Sequence, residues 1–325
     1  MLRTLLAALL LAPACAPDQT SSLIIPDGEV LDTGLEVAAP GAPEDAGLAP
    51  WAPLPHRDPE EEVEEPTPED SGAPPAEEPA EGTLRLVVLD VGQGDALLLV
   101  APDGTSLLVD AGKDGSADEI EAGLAAAGVT HLDATLVTHL HADHLGAMDE
   151  ILAAHPEVRT CWDHGGSASS NAYAAYAAAA APCRARLRTG DQPALGEGME
   201  AAVLHPSAPS DSDENANSVV LRVRFAGVTL LLGGDCPEDG CEEALDPGDV
   251  DIYKVHHHGS AGASSAAFLA RTRPELALIS VGANSYGHPT EDALARLDAA
   301  GAEVHRTDEE GDLVVDVADG GWWVE

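Results

Sequence analysis

Residues 138–146 read THLHADHLG and place three histidines and one aspartate within six positions. They directly follow ATLV, a run that is typical of a buried strand. His139 and His141 point to one face of such a strand, because side chains alternate along it. Asp143 and His144 fall where the chain turns into a helix, so they approach the same point from another direction. The spacing therefore predicts that one short segment serves two adjacent metal ions.

Further candidate ligands follow later strands in the same manner. His205 ends AAVLH, Asp235 ends LLLGGD, and His288 follows the strand LALIS after a short loop. Three consecutive histidines, residues 256–258, come directly after the strand that ends at Val255. Eight of the 13 histidines thus lie at predicted strand ends. Strands that all deliver such side chains to one edge predict a metal site.

The pattern around these motifs repeats strands followed by helices. In the first half the predicted strands are 84–91, 96–100, 106–110 and 132–138, with a helix over 117–128. In the second half they are 218–225, 228–232, 250–255 and 276–280, with helices near 242–245, 264–272 and 291–300. Such a repeat predicts an α/β domain with two sheets sandwiched between helices.

The first 14 residues have the layout of a signal peptide: Arg3, an apolar run, and small residues before Cys15. A cytosolic protein with an apolar N-terminus is the alternative. The sequence LAPAC resembles a bacterial lipobox, which would make Cys15 a lipidated first residue, whereas APA also fits the cleavage site of a soluble secreted protein. We expect a lipid anchor at a bacterial extracytoplasmic membrane face, with a periplasmic or secreted protein as the alternative.

Residues 15–82 are rich in proline, glutamate, aspartate and alanine, and they predict a disordered acidic linker. Residues 1–82 contain 18 acidic and 2 basic residues, so −27 of the chain's net charge of −43 belongs to residues 83–325. We expect this remainder to form one globular domain. Its acidity would repel a nucleic-acid backbone unless metal ions or a local basic patch compensate.

Four cysteines follow Cys15 in the chain: Cys161, Cys183, Cys236 and Cys241. In an exported protein an even number suggests two disulfides, and three pairings are possible. Proximity along the chain favours Cys161 with Cys183 and Cys236 with Cys241. Four unpaired buried thiols are the alternative, and a zinc cluster is disfavoured because no pair has the close C-x-x-C spacing.

Six motifs together indicate a family: LDVGQGD at 89–95, VDAG at 109–112, THLHADHLG at 138–146, GGD at 233–235, KVHHHGS at 254–260, and SVG with YGHP within 280–289. They resemble the metallo-β-lactamase superfamily and, more narrowly, the C-terminal metallohydrolase domain of the competence DNA-uptake channel ComEC. The resemblance covers residues 84–317. It implies a four-layer αββα metallo-β-lactamase sandwich over residues 83–325.

The resemblance also implies a ligand set for two metal ions bridged by Asp235. The first ion would take His139, His141 and His205. The second would take Asp143, His144 and His288. Asp110 would support these ligands from behind by hydrogen bonding.

Candidate catalytic residues are Asp143, His257 and His258. One of the two histidines would contact the scissile phosphate or protonate the leaving oxygen, and the sequence leaves open which of them enters the site. His256 stands where relatives commonly have proline.

Two divalent cations are the expected cofactors, with zinc favoured by the histidine ligands and manganese as the alternative. The motifs point to hydrolysis of a phosphodiester, in DNA or a nucleotide. Hydrolysis of a lactone, lactam or thioester by the same metal pair is one alternative, and a non-catalytic exported binding protein is another. Arg184, Arg186 and Arg188 form either a solvated strand face or a track for phosphates. No protein partner is identifiable.

Overall fold

The computed structural model describes residues 82–210 and 213–325. The predicted signal peptide, Cys15 and nearly all of the predicted linker lie outside these residues. The strands of the described residues are β1 Leu84–Val88, β2 Leu97–Val100, β3 Ser106–Val109, β4 Ala134–Leu136, β5 Thr160–Asp163, β6 Arg184–Arg186, β7 Glu200–His205, β8 Val220–Phe225, β9 Val228–Leu232, β10 Ile252–Lys254, β11 Leu276–Ile279, β12 Glu303–Arg306, β13 Leu313–Ala318 and β14 Gly321–Val324. Their helices are α1 Ala117–Ala126, α2 Ala142–Leu145, α3 Met148–Ala154, α4 Asn171–Ala180, α5 Ala266–Thr272, α6 Glu291–Ala300 and α7 Thr307–Glu310.

Within the described residues the strands form two mixed sheets. One has eight strands in the order β14-β13-β1-β2-β3-β4-β5-β6, and the other has six in the order β12-β11-β10-β9-β8-β7. The alternation of side chains along a strand gives each sheet two apolar faces. Leu86 and Leu97, for example, join the core between the sheets, whereas Val87 and Leu98 face the helices.

Helices cover the outer face of each sheet. Ile120 of α1 and Ile151 of α3 pack on the eight-stranded sheet, and Phe268 of α5 and Leu297 of α6 pack on the six-stranded sheet. The three apolar layers between helix, sheet, sheet and helix confirm the predicted αββα sandwich.

The direction of the strands decides where the site lies. β3, β4 and β5 run parallel to one another, as do β9, β10 and β11. Loops that leave the carboxyl ends of parallel strands meet at one edge of a sheet. The residues after these strands, including those of the 138–146 motif and Asp235, are therefore collected at one edge of the sandwich.

A hairpin at the end of the domain, β13–β14, completes the eight-stranded sheet by pairing with β1. The Nε and Nη2 atoms of Arg85 on β1 donate to Asp316 of β13 at 2.8 and 2.7 Å. Both side chains are buried. The ion pair fixes the register of two strands that are more than 200 residues apart in sequence.

Two disulfides lie in the described residues, Cys161–Cys183 and Cys236–Cys241. These are the two pairs that the spacing along the chain favoured. The first links β5 to the start of β6, and the second closes the loop that follows Asp235. Among the residues that the structure describes, none of the helices has both the length and the apolar character needed to cross a bilayer.

Candidate metal centre

The histidine segment begins at the end of β4 and is held in place by Asp110, which follows β3. The Oδ1 atom of Asp110 accepts a hydrogen bond from the backbone N–H of Thr138 at 2.7 Å, and its Oδ2 accepts one from the Thr138 hydroxyl at 2.7 Å. The same Oδ2 lies 2.9 Å from Nδ1 of His144. Asp110 therefore contacts both the backbone of the histidine segment and His144 from behind.

The carboxylate of Asp235 lies at the centre of the histidine cluster. Its Oδ1 is 3.2 Å from Nε2 of His144 and 3.4 Å from Nε2 of His258. Its Oδ2 is 3.5 Å from Nε2 of His257 and 3.9 Å from Nε2 of His139. The two oxygens thus face two separate groups of nitrogens, which is the arrangement required of a carboxylate between two cations.

His141 and Asp143 add one ligand atom to each side of this arrangement. Nδ1 of His141 lies 3.0 Å from Nε2 of His139, whereas Oδ2 of Asp143 lies 3.7 Å from Nε2 of His258. They separate because α2 begins between them, at Ala142. The motif therefore places candidate ligand atoms near both oxygens of Asp235.

His257 and His258 both reach Asp235 although they are consecutive residues. Each has a φ of 51°, in the left-handed region that residues other than glycine seldom adopt. Residues in this region often lie at functional sites. The backbone N–H of His257 donates to the carbonyl of Gly234 at 3.1 Å, which ties this turn to the loop of Asp235. The question that the sequence left open is answered by geometry, because both rings enter the site.

A buried ion pair that the sequence did not predict lies behind His258. Nδ1 of His258 lies 2.9 Å from the carbonyl oxygen of Ser280 and 3.2 Å from Oδ1 of Asp95. Oδ2 of Asp95 lies 2.8 Å from Nζ of Lys254, and both of these side chains are only 1% exposed. A lysine within the apolar strand IYKV is the signal that could have revealed the pair, because an unpaired buried lysine is costly.

His256 points away from the centre and packs beneath the turn that carries Asp235. Its Nδ1 lies 2.9 Å from Oε1 of Glu242, and a Cβ on Gly233 would lie 2.4 Å from its Nε2. The Glu242 carboxylate also accepts hydrogen bonds from the backbone N–H groups of Ser264 and Ser265. His256 therefore supports the Asp235 turn and requires glycine at position 233.

His205, at the end of β7, is oriented through Ser218. Its Nδ1 is 3.1 Å from the carbonyl oxygen of Ser218, and the Ser218 hydroxyl in turn accepts a hydrogen bond from the N–H of Asp235 at 3.2 Å. Among the described residues, the groups whose ligand atoms lie within 4.8 Å of one another contain His139, His144, His258, Asp95, Asp110, Asp143 and Asp235, and they leave out His141, His205 and His257 alike.

His288 is likewise outside those groups, yet its ring centre lies 5.4 Å from that of His257. His257 and His258 thus approach Asp235 in addition to the ligands that the resemblance implied, and the assignment of His205 and His288 stays a prediction. Nδ1 of His205 faces a backbone carbonyl, as Nδ1 of His258 does.

The protonation states of the site residues result from two opposing effects, burial and the charges of neighbouring groups. Burial disfavours the ionised form of Asp143, but a hydrogen bond from His258 and the charge of His144 outweigh it and lower the pKa of Asp143 to about 2. Burial also disfavours the protonated form of His258, but Asp235 and Asp95 outweigh it and raise the pKa of His258 to about 9. Asp235 behaves as Asp143 does, because burial is outweighed by His144 and His258, which hold its pKa below the usual value, so both carboxylates stay ionised.

The residues fit a divalent cation on an independent observation. Nε2 of His144, Nε2 of His258 and Oδ1 of Asp235 are buried and make no hydrogen bond within the described residues. Buried polar atoms ordinarily have partners. Nδ1 of each of these histidines faces a carboxylate or carbonyl oxygen, which is how metal-binding histidines are usually oriented. Imidazole nitrogens with carboxylate oxygens suit zinc, and manganese tolerates the same set.

A cavity of about 370 Å³ opens onto the cluster. It is lined by the site residues His141, Asp143, Asp235, His257, His258 and His288 and, in addition, by Gln93, Ala142, Asn215 and Tyr286. A substrate in this cavity would touch the centre of the site directly.

The arginine strip is engaged in contacts within the domain. Arg184 donates from Nε to Asp163 at 2.6 Å and from Nη1 to the hydroxyl of Tyr173 at 3.1 Å. Arg188 donates to the carbonyl of His164. These contacts favour a structural role for the strip over a track for phosphates.

Comparison with known proteins gives matches across the domain. The sequence profile of the family described as "Metallo-beta-lactamase superfamily" matches residues 89–283. "ComE operon protein 3" of Bacillus subtilis is 29% identical, over 70% of this chain and 32% of that protein. "Competence protein ComA" of Neisseria gonorrhoeae is 32% identical, over 74% of this chain and 33% of that protein. This chain spans about a third of the length of these relatives, and the matches confirm the resemblance that the motifs indicated.

Among solved structures, the metallo-beta-lactamase fold protein YhfI from Bacillus subtilis aligns with a TM-score of 0.48 and 13% identity. The alignment covers 74% of this chain and all of that one.

Proposed function

Because this chain belongs to the metallo-β-lactamase superfamily, we propose that it is a metal-dependent phosphodiesterase acting on nucleic acid or nucleotides. One observation carries the proposal: Asp235 stands between two groups of histidine nitrogens, and its Oδ1 has no hydrogen-bond partner among the described residues. The ComEC-like motifs direct the choice of substrate towards phosphodiesters, although the acidity of the domain opposes long polyanions.

One divalent ion would be held on each side of Asp235, and its carboxylate would contact both ions. The first site, on the side of Oδ2, would take His139, His141 and His257. The second site, on the side of Oδ1, would take Asp143, His144 and His258. When bound, such a pair activates a water molecule and stabilises charge on the attacked phosphate. Zinc is the proposed metal, with manganese as the alternative.

The remaining residues orient these groups and handle protons. Asp110 and the Ser280 carbonyl hold Nδ1 of His144 and His258, so the Nε2 atoms are free for the metals. His288 lines the cavity, and its buried Nδ1 has no hydrogen-bond partner among the described residues. We assign to His288 the contact with the phosphate and the donation of a proton to the leaving oxygen, roles that the sequence gave to His257 or His258.

The proposal is tested by assaying purified protein, loaded with zinc or manganese, on bis(4-nitrophenyl) phosphate and on a short single-stranded oligonucleotide. A cephalosporin and an acyl lactone are assayed in parallel, and each assay is repeated with a chelator. We expect chelator-sensitive cleavage of the phosphodiesters alone. Metallated protein that is inert on both phosphodiesters but opens the lactone or the cephalosporin would replace the proposal with the acyl hydrolase. Inertness on all four would favour a binding protein.

We further propose that the protein works in an oxidising compartment outside the cytoplasm. The support comes from the described residues, because two disulfides in one domain are typical of exported proteins. Membrane attachment through Cys15 remains an expectation from the sequence, and a phosphodiester is the only partner that we propose.

A further inference from the structure

We propose that Tyr286 is a stacking platform for a nucleobase next to the scissile phosphate, so that the substrate is a nucleotide or a single strand and not a duplex. The inference rests on the phosphodiesterase function proposed above. Tyr286 lines the cavity of the metal centre, yet 71% of its surface is exposed. Only one other large hydrophobic side chain among the described residues, Trp323, is exposed, at 44%.

The ring of Tyr286 is joined to the centre by a series of aromatic contacts. It stacks on the ring of His288, with centroids 5.7 Å apart and an interplanar angle of 27°. The ring of His288 meets that of His257 edge-on at 5.4 Å, and His257 faces Asp235. Two ring contacts therefore separate Tyr286 from a proposed metal ligand. A base on Tyr286 would belong to a nucleotide adjacent to the attacked phosphate.

The loop that carries Tyr286 is held in shape by one side chain, Asn284. Its Oδ1 accepts hydrogen bonds from the N–H groups of Tyr286, Gly287 and His288 at 3.0, 2.9 and 3.1 Å. Its Nδ2 donates to the carbonyls of Gly282 and His288 at 2.9 and 2.8 Å. Ordering an exposed aromatic before the ligand arrives reduces the entropy lost on binding. An aromatic surface presented in this way suits binding, because an exposed tyrosine gains nothing in the fold from such order.

Neutral groups occupy the other parts of the cavity wall. Both polar atoms of the Gln93 amide and Oδ1 of Asn215 are buried without a hydrogen-bond partner among the described residues. Amides can bind sugar or phosphate oxygens without a positive charge.

Stacking combined with neutral hydrogen bonds would hold a nucleotide in a strongly acidic domain whose arginine strip is engaged elsewhere. Base–aromatic stacking tolerates any base, because every base has a π-face. In a duplex the bases are stacked on one another and are not available to Tyr286.

The test compares two substrates with the same backbone on metal-loaded protein. One is a single-stranded pentanucleotide, and the other carries abasic tetrahydrofuran residues in place of every base. The readouts are kcat/KM by chromatography of the products and Kd by calorimetry. The variants are Tyr286→Ala and Tyr286→Phe. Trp323→Ala is the control for loss of an exposed aromatic side chain that does not line the cavity.

We expect wild-type protein to prefer the base-bearing strand by about tenfold or more, as stacking of one base predicts. Tyr286→Ala should bring this ratio close to one, whereas Tyr286→Phe and Trp323→Ala should keep it. An equal kcat/KM for the two substrates in wild-type protein, or an unchanged ratio of the two in Tyr286→Ala, would overturn the proposal that Tyr286 is a stacking platform. If neither substrate is cleaved, the phosphodiesterase proposal fails. A base-dependent Kd that Tyr286→Ala abolishes would still support the platform, and a base-independent Kd would overturn it.

Discussion

His257 and His258 direct neighbouring rings to opposite oxygens of one carboxylate, with both residues at a φ of 51°. An extended backbone would send two consecutive side chains to opposite faces. The left-handed turn instead aims both at Asp235, and it brings candidate ligands from a single loop to both oxygens of that carboxylate.

We first predict that Asp235→Ala loses both metal ions together with activity, because the carboxylate faces both groups of nitrogens. Metal content by mass spectrometry should fall from about two ions to less than one, and turnover of bis(4-nitrophenyl) phosphate should drop at least about a hundredfold. Asp249→Ala is the matched control, since Asp249 pairs with Arg273 at the surface. Full activity in Asp235→Ala would contradict the arrangement.

The second prediction distinguishes the proposed ligands His257 and His258 from His205. His257→Ala and His258→Ala should each lower the metal content by about one ion and weaken affinity for the remaining one. His205→Ala should retain more metal than either, because Nε2 of His257 and Nε2 of His258 lie 3.5 and 3.4 Å from Asp235, and the described residues show no such contact for His205. Metal titrations of the three variants decide this. Greater loss from His205→Ala than from His257→Ala would restore the ligand set that the resemblance implied.

A third prediction concerns the buried lysine. Lys254→Met leaves Asp95 buried without its cation, and we expect a loss of about 3–5 kcal/mol in the free energy of unfolding. Because Asp95 also contacts Nδ1 of His258, metal affinity should fall about 10- to 100-fold. Lys113→Met, at the exposed lysine, is the control. Urea unfolding in chelator and a metal titration are the two measurements, and stability equal to the control would refute the role of the pair.

The fourth prediction gives the stability a pH dependence through Glu242. Burial opposes its ionisation, but the hydrogen bond and charge of His256 outweigh this and hold the pKa of Glu242 below its usual value of 4.5. A lowered pKa means that the ionised form stabilises the fold above about pH 4.5 and that this contribution is lost as the pH falls further.

Glu242→Gln should therefore lower the free energy of unfolding by about 1–3 kcal/mol at pH 7, and the difference from wild type should shrink below about pH 4.5. Urea unfolding of metal-free protein at a series of pH values measures it. Glu243→Gln, at the exposed neighbour, should show no such trend. A difference in the free energy of unfolding that stays constant or grows as the pH falls would contradict a lowered pKa of Glu242.

The fifth prediction is that protein taken from its native compartment has no alkylatable thiols among Cys161, Cys183, Cys236 and Cys241. Peptide mapping without reduction should recover the two linked pairs. Recovery of four alkylated cysteines would exclude both the disulfides and the compartment proposed from them.

Local pattern predicted most of the elements. Strands such as β9 and helices such as α6 could be located because their periodicity and capping residues are written within a short window. The last three strands along the chain, β12, β13 and β14, were not predicted. The register of β13 depends on its pairing with β1, including Arg85 with Asp316, and such a distant partner leaves no local signal.

The sequence by itself determined which chemistry to expect: the spacing of His139, His141, Asp143 and His144 on a strand and the helix after it already predicts a metal site, because side-chain direction along regular elements is fixed by backbone geometry. Only the tertiary structure decided which distant residues complete it. The left-handed turn at His257 and His258 and the Lys254–Asp95 pair arise from packing between loops of different strands. Contacts of that kind depend on three-dimensional neighbours and not on residue type or spacing.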